Sequence, residues 1–210
     1  MKDVLSVRNW RYATKKFDAD KKASQEEIDQ LLEAIRLSAS SYGLQPYQVY
    51  LIETPEIRQE LQPHSWNQSQ ITQASHLLVF ASCTDFDDQL IDNYLDQISE
   101  VRGIEKEQLE GYGNFMKQTL GPWPADRKAD WCARQAYIAL GNGLQAAAEL
   151  GLDTCPIEGF VPAEYNRILK LDEKRLTACV VMAVGYRSEE DANQHLKKVR
   201  NPKDDFITSI

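Results

Sequence analysis

Ala178-Cys179-Val180-Val181-Met182-Ala183-Val184 is the strongest strand signal in the chain, an apolar β-branched run that Gly185 ends. Leu77 to Ser82 is a second continuous apolar run, as expected of a strand covered on both faces. Tyr47 to Glu53 is rich in β-formers and predicts a third. Helical signals are interleaved with these strands. Ser24-Gln25-Glu26-Glu27 reads as a capping box, and Ile28, Leu31, Leu32 and Ile35 follow at helical spacing. This helix is expected to end near Ser38. A long helix is expected from Asp126 or Asp130 to Leu150, packing through Trp131, Gln135, Ile138, Leu144, Ala147 and Leu150, with Gly151 as C-cap. Gly141 and Gly143 weaken it by about 1 kcal/mol each. Together with Ala139 and Ala146 to Ala148, they would let another helix approach closely. Residues 85 to 120 are mostly polar and read as helical up to the breaker Gly121-Pro122-Trp123-Pro124. The alternation predicts a mixed sheet flanked by helices, in one domain covering residues 1–210.

Composition narrows the function. The chain has 210 residues, 42% hydrophobic and 27% charged, in the range of an ordinary globular protein with a sizeable core. A net charge of −8 argues against a general nucleic-acid or membrane-surface binder. No apolar stretch approaches a membrane span, and the N-terminus lacks the apolar centre of a signal peptide, so a cytoplasmic location is expected. Cys83, Cys132, Cys155 and Cys179 form no Cys-x-x-Cys pair and read as reduced thiols in or near the core. His64, His76 and His195 have no metal-ligand spacing, so no metal site is expected. There is no G-x-G-x-x-G and no P-loop.

Three motifs carry the chemistry. The first is Arg11-Tyr12-Ala13-Thr14-Lys15-Lys16-Phe17-Asp18; the second is Ser40-Ser41-Tyr42-Gly43-Leu44-Gln45-Pro46. The third, Gly151 to Phe160, contains Pro156-Ile157-Glu158-Gly159. Read alone, they are surface charges, turn chemistry, and a helix-to-strand loop with a rigid proline. In this order, and over nearly the whole chain from about Val4 to Arg200, they resemble the FMN-dependent nitroreductase family, of the bacterial NAD(P)H nitroreductase and quinone reductase type.

That resemblance implies an α+β, nitroreductase-like fold with a central mixed, mostly antiparallel sheet flanked by helices. It also implies an intertwined homodimer, in which the C-terminal tail embraces the partner and both subunits contribute to each site. It implies non-covalent FMN, with NADH or NADPH as electron donor and a small-molecule acceptor. Arg11, Lys198 and Arg200 match the family's phosphate-binding positions, as arginine's planar fork suits phosphate. Tyr12 and Ala13 adjoin them, and Ala13 lacks the hydroxyl that close relatives often place there. Lys15 matches a lysine at the N1/O2 edge of the ring, where a cation favours developing negative charge. Ser40, Ser41, Gln45, Asn67 and Gln70 match positions along the ribityl chain and ring edge, Gln70 standing where some relatives carry lysine. Pro156, Ile157, Glu158 and Gly159 present backbone amides to N5 and O4, so Glu158 acts through its amide and Gly159 permits close approach. Tyr42, Tyr112, Phe115, Met116 and Trp123 are expected substrate contacts. The implied reaction is ping-pong two-electron transfer to nitroaromatics, quinones or related acceptors. The alternatives are a same-fold flavoenzyme of different output (dehalogenation, enal reduction, flavin destruction) and a non-catalytic FMN-binding protein.

Overall fold

Leu176–Gly185 (β4) forms the long inner strand of a four-stranded sheet, and the computed structural model describes it together with the rest of residues 3–210. In chain order the elements before it are α1 (Val4–Trp10), α2 (Gln25–Arg36), β1 (Tyr47–Ile52), α3 (Pro55–Leu61), α4 (Gln70–Gln73) and β2 (His76–Cys83). Then come α5 (Asp88–Arg102), α6 (Glu110–Leu120), α7 (Ala125–Leu150), β3 (Asp153–Ile157) and α8 (Pro162–Leu169), with α9 (Lys203–Phe206) after β4. The strand order is β1-β2-β4-β3, and all three ladders are antiparallel. A parallel bridge from Ala13 to Thr154 extends the sheet beyond β3 and makes it mixed.

The apolar runs of β2 and β4 are continuous because both faces are covered. Side chains alternate, so Leu77, Val79, Ala81, Val181 and Ala183 enter one core with Leu61, Ile71, Phe160 and Tyr165 from the α3, α4 and α8 side. Leu78, Phe80, Val180, Met182 and Val184 enter the other, with Ile28, Leu31 and Ile35 of α2 and Ala136, Ala139, Leu140 and Ala147 of α7. The capping box at Ser24 starts α2, with Ser24 N donating to Glu27 at 2.8 Å. The expected close approach onto α7 is made by α2: a Cβ at Gly143 would lie 3.0 Å from the Ile35 side chain. A third core, under α5 and α6, joins Leu44, Phe86, Ile91, Met116, Leu120, Trp131 and Cys132.

One segment read as loop is a strand. Asp153–Ile157 pairs with β4 along its length, and Pro156 is tolerated because β3 is the outermost named strand. Among the described residues no helix is long and apolar enough to cross a membrane, and the four cysteines are free thiols.

Candidate functional site

The segment after α1 is laid against the β3 edge by backbone bonds. Thr14 N donates to Thr154 O at 3.0 Å, Ser188 N to Lys16 O at 2.9 Å, and Asp18 N to Tyr186 O at 2.8 Å. Beneath it, the buried Asp153 carboxylate takes bonds from Arg187 Nε at 2.7 Å and Arg187 N at 2.9 Å. The Arg187 guanidinium also lies over the rings of Trp10 and Tyr12, 4.3 and 4.7 Å from their centroids. Asp191, also buried, accepts from Tyr12 Oη at 2.9 Å and from the Lys15 amide at 2.7 Å. Burial alone would raise its pKa, but the bonds from Asn193, the Lys15 amide and Tyr12 outweigh it and hold the carboxyl down at about 2.

Above this frame the positive charges gather. Lys198 Nζ donates to the Arg11 carbonyl, so the two ends of the chain meet. Arg11 is lowered first by burial and then by the charges of Arg200 and Arg8; Lys198 is lowered by burial and then by Arg11, Arg200 and Arg187. Every named charge acting on these two groups is another cation. Arg11 Nε is buried and has no hydrogen-bond partner among the described residues. Half-buried like charges around an unsatisfied N–H make a receptor for an anion, which would relieve both penalties.

Lys15 leaves this segment near the middle of β3. Its charge acts on the Cys155 thiol, which burial pushes up and which Gln70 hydrogen-bonds. Gln70 arrives on α4, whose C-terminal carbonyls are held by the buried Arg58. The Arg58 guanidinium donates to Ile71 O at 2.7 Å, Ala74 O at 2.5 Å and Ser75 O at 3.1 Å. Ser69 precedes α4, and both Trp66 and Asn67 are left-handed, at φ 54° and 55°. Trp66, 74% exposed, covers Gly159 so closely that a Cβ there would lie 2.6 Å from the ring. Gly159 O accepts from Gln68 Nε2 at 2.8 Å, and the Glu158 carboxylate accepts from Tyr137 Oη on α7 at 2.5 Å. The side chain of Glu158 is thereby occupied, and its carbonyl accepts from the Phe160 amide at 2.9 Å.

The second motif lies elsewhere. Ser41 N donates to Gln135 Oε1 on α7 at 2.8 Å, Gln45 N to Ser40 Oγ at 3.0 Å, and Gln45 Nε2 to Arg36 O at the end of α2 at 2.7 Å. Tyr42 meets the exposed Phe115 edge to face at 6.4 Å, and Tyr112 Oη donates to Tyr42 O at 3.4 Å. Trp123 is half-buried against Trp131, with centroids 6.1 Å apart. Met116 departs from expectation: it is fully buried among Leu44, Ile91 and Trp131, because its face of α6 points into the third core, and it is removed from the substrate contacts. A cavity of about 460 Å³ opens beside this loop, between Leu32, Leu44, Tyr47 and Tyr94.

The expected site residues therefore fall into two groups. Arg11, Tyr12, Ala13, Lys15, Gln70, Pro156 to Gly159, Lys198 and Arg200 gather along β3, with Asn67 beside them. Ser40, Ser41, Tyr42, Gln45, Tyr112 and Phe115 gather at the entrance to β1. In the strand order these are opposite edges, three inter-strand spacings or about 14 Å apart. Trp66, Asp153, Arg187, Asp191 and Tyr137 were not among the residues expected from sequence. The signal for Trp66 was its place between Ser65 and Asn67; the others carry none that is local.

The model of one protein family, described as the Nitroreductase family, matches residues 9–186. The chain belongs to the nitroreductase family. Its relatives include YfkO of Bacillus subtilis, 37% identical over 195 residues with 88% of each chain covered. They also include the major NAD(P)H-flavin oxidoreductase of Aliivibrio fischeri, 35% identical over 207 residues and 95% of each chain. Among solved structures, a nitroreductase solved in complex with FMN, from Exiguobacterium sibiricum, superposes with a TM-score of 0.85 at 21% identity, over 100% of this chain and 98% of that one. The fold of this nitroreductase is thus shared across the full length of the chain.

Proposed function

We propose that this nitroreductase binds FMN non-covalently and acts as an NAD(P)H-dependent oxidoreductase on nitroaromatics, quinones or related small acceptors. The observation that carries the reading is the cation group Arg11, Lys198 and Arg200, which carries an unsatisfied buried Arg11 Nε and lies at one end of the Lys15 and Gly159 surface. The donor set fits the cofactor: cations for a phosphate dianion, Lys15 for a ring edge that gains negative charge, and a glycine peptide where backbone must approach closely. Bound FMN would supply hydride acceptance from NADH or NADPH and two-electron delivery to the acceptor. Arg11, Lys198 and Arg200 would hold the phosphate, and Lys15 would favour the more negative ring. Ile157 to Gly159 would offer backbone N–H donors, and Tyr137 keeps the Glu158 carboxylate away from that role. Ala13 and Gln70 supply no charge, so phosphate binding would rest on the cation trio.

Dimerisation belongs to the same reading. The two site groups lie on opposite edges of one sheet, and a second copy would bring Ser40, Ser41, Gln45, Tyr42 and Phe115 to the partner's β3 edge. Tyr137 and Ile138 on α7, and Phe206 and Ile207 in the tail, expose apolar surface that such a dimer would cover. The free thiols suit a reducing, cytoplasmic setting. Nicotinamide and acceptor would use one pocket in turn.

The test is direct. The purified protein should be yellow and release FMN, not FAD, on acid treatment; light scattering should give twice the chain mass. Anaerobic stopped-flow mixing with NADH or NADPH should bleach the flavin absorbance, and a quinone or nitroaromatic should restore it. Protein that takes up no FMN ends the proposal. Protein that binds FMN but is not bleached by either donor leaves a flavin-binding role without this catalysis.

A further inference from the structure

Ser188-Glu189-Glu190-Asp191 carries three acids with different fates. Glu189 and Glu190 are exposed, and Glu190 pairs with Lys16; Asp191 is 2% exposed. Its carboxylate accepts five hydrogen bonds. Oδ2 takes Tyr12 Oη at 2.9 Å, the Lys15 amide at 2.7 Å and the Lys16 amide at 3.2 Å. Oδ1 takes the Asn193 amide at 3.0 Å and Asn193 Nδ2 at 2.9 Å.

The division between the two oxygens is the informative part. One oxygen holds the segment that carries Arg11 and Lys15. The other holds the start of the tail that carries Lys198 and Arg200, and Lys198 then returns to the Arg11 carbonyl. Bonds to an ionised carboxylate are shorter and stronger than neutral ones. Two of them fall on consecutive backbone amides, so they fix the dihedrals at Lys15 and with them the Cα–Cβ direction of its side chain.

Building on the flavin reading, we propose that Asp191 is a positioning residue: one buried carboxylate sets both the spacing of the phosphate-holding cations and the direction in which Lys15 leaves the backbone. A staple that served stability alone would lower the unfolding midpoint without acting through Lys15.

The experiment measures FMN dissociation constants by fluorescence titration, and flavin midpoint potentials by dye equilibration. Both are taken for Asp191→Asn in the wild-type and Lys15→Met backgrounds. The expected result is FMN binding weakened roughly tenfold or more. The potential should shift in the wild-type background, and that shift should largely vanish in Lys15→Met, as for two residues on one path. A folded Asp191→Asn with wild-type affinity and potential overturns the inference alone, as does a shift of equal size in both backgrounds. Wild-type protein that takes up no FMN overturns this inference together with the flavin reading. Should Asp191→Asn fail to fold, Asn193→Ala decides: it keeps the charge and removes one Oδ1 donor. FMN binding weakened roughly two- to threefold supports the inference, and unchanged binding overturns it.

Discussion

The β3 edge and the α5–α6 excursion are built by different forces. Along β3, the segment from Arg11 to Lys16 is held by backbone bonds and by two buried carboxylates, Asp153 and Asp191. On the excursion, rings and aliphatic side chains form the packing contacts, Phe86 on Trp131, Trp123 on Trp131 and Tyr42 on Phe115, and the ion pairs Lys117–Asp92 and Lys106–Asp96 lie toward solvent. Charged groups act over distance and through shared partners, so a change along β3 should be felt across the whole cation group. Packing acts by contact, so a change on the excursion should stay local and should depend on depth. Under the proposed function, the first region would hold the cofactor and the second would meet the small-molecule acceptors.

The largest effect tests depth within the excursion. Met116 is fully buried, and Met116→Ala should cost about 2–5 kcal/mol of stability by opening a cavity in the third core. Urea unfolding should show this, while the KM for a quinone acceptor should stay near wild type. An altered KM at unchanged stability would return Met116 to the substrate contacts and blur the division between the two regions.

The next effect tests charge along β3. Lys15→Met should lower the flavin midpoint potential and slow reduction by NAD(P)H roughly a hundredfold, the usual cost of one missing electrostatic partner. Lys15→Arg should retain more activity, because it keeps the charge. A potential unmoved in Lys15→Met would remove that side chain from the cofactor's electrostatics.

Sequence legibility follows the same division. The strands β2 and β4 and the helices α2 and α7 were readable because long apolar periodicities record burial directly. The strand β3 was not, because five residues containing Pro156 and flanked by Gly151 and Gly159 look like a turn until an edge position explains them. Helices α3 and α8 were also missed, although Pro55 and Pro162 at their first turns are start signals. Arg11, Lys198 and Arg200 could be grouped only through the family resemblance, since nothing in composition says that the chain ends meet. Asp191 was invisible for a related reason: its two glutamate neighbours have the same chemistry, and only tertiary structure turns one acid of the three inward.

A smaller effect reads that inward turn through pH. Asp191 sits at about 2 against a usual value of 3.8. A depressed carboxylate stabilises the fold above the unfolded value and loses that contribution as pH falls through the folded one. Asp191 should therefore contribute up to about 2 kcal/mol above roughly pH 4, fading toward pH 2. Urea midpoints measured over this interval should fall more steeply for wild type than for Asp191→Asn. Equal acid slopes would show that Asp191 is not held in its ionised form by the folded protein.

The smallest effect belongs to the exposed side of the excursion. Phe115 is 55% exposed and touches Tyr42 by its edge, so Phe115→Ala opens no cavity and should barely move the unfolding midpoint. An aromatic contact of this kind contributes about 0.5–1.5 kcal/mol, which corresponds to a KM rise of roughly two- to tenfold. FMN retention should be unchanged, because Phe115 carries no charge and is not one of the cations that would hold the phosphate. If nicotinamide and acceptor use one pocket in turn, the KM values for both should rise together, and initial-rate plots against NAD(P)H at several acceptor concentrations should stay parallel. A rise for the acceptor alone, or intersecting plots, would mean that the two substrates bind apart. The excursion would then serve only one half of the reaction.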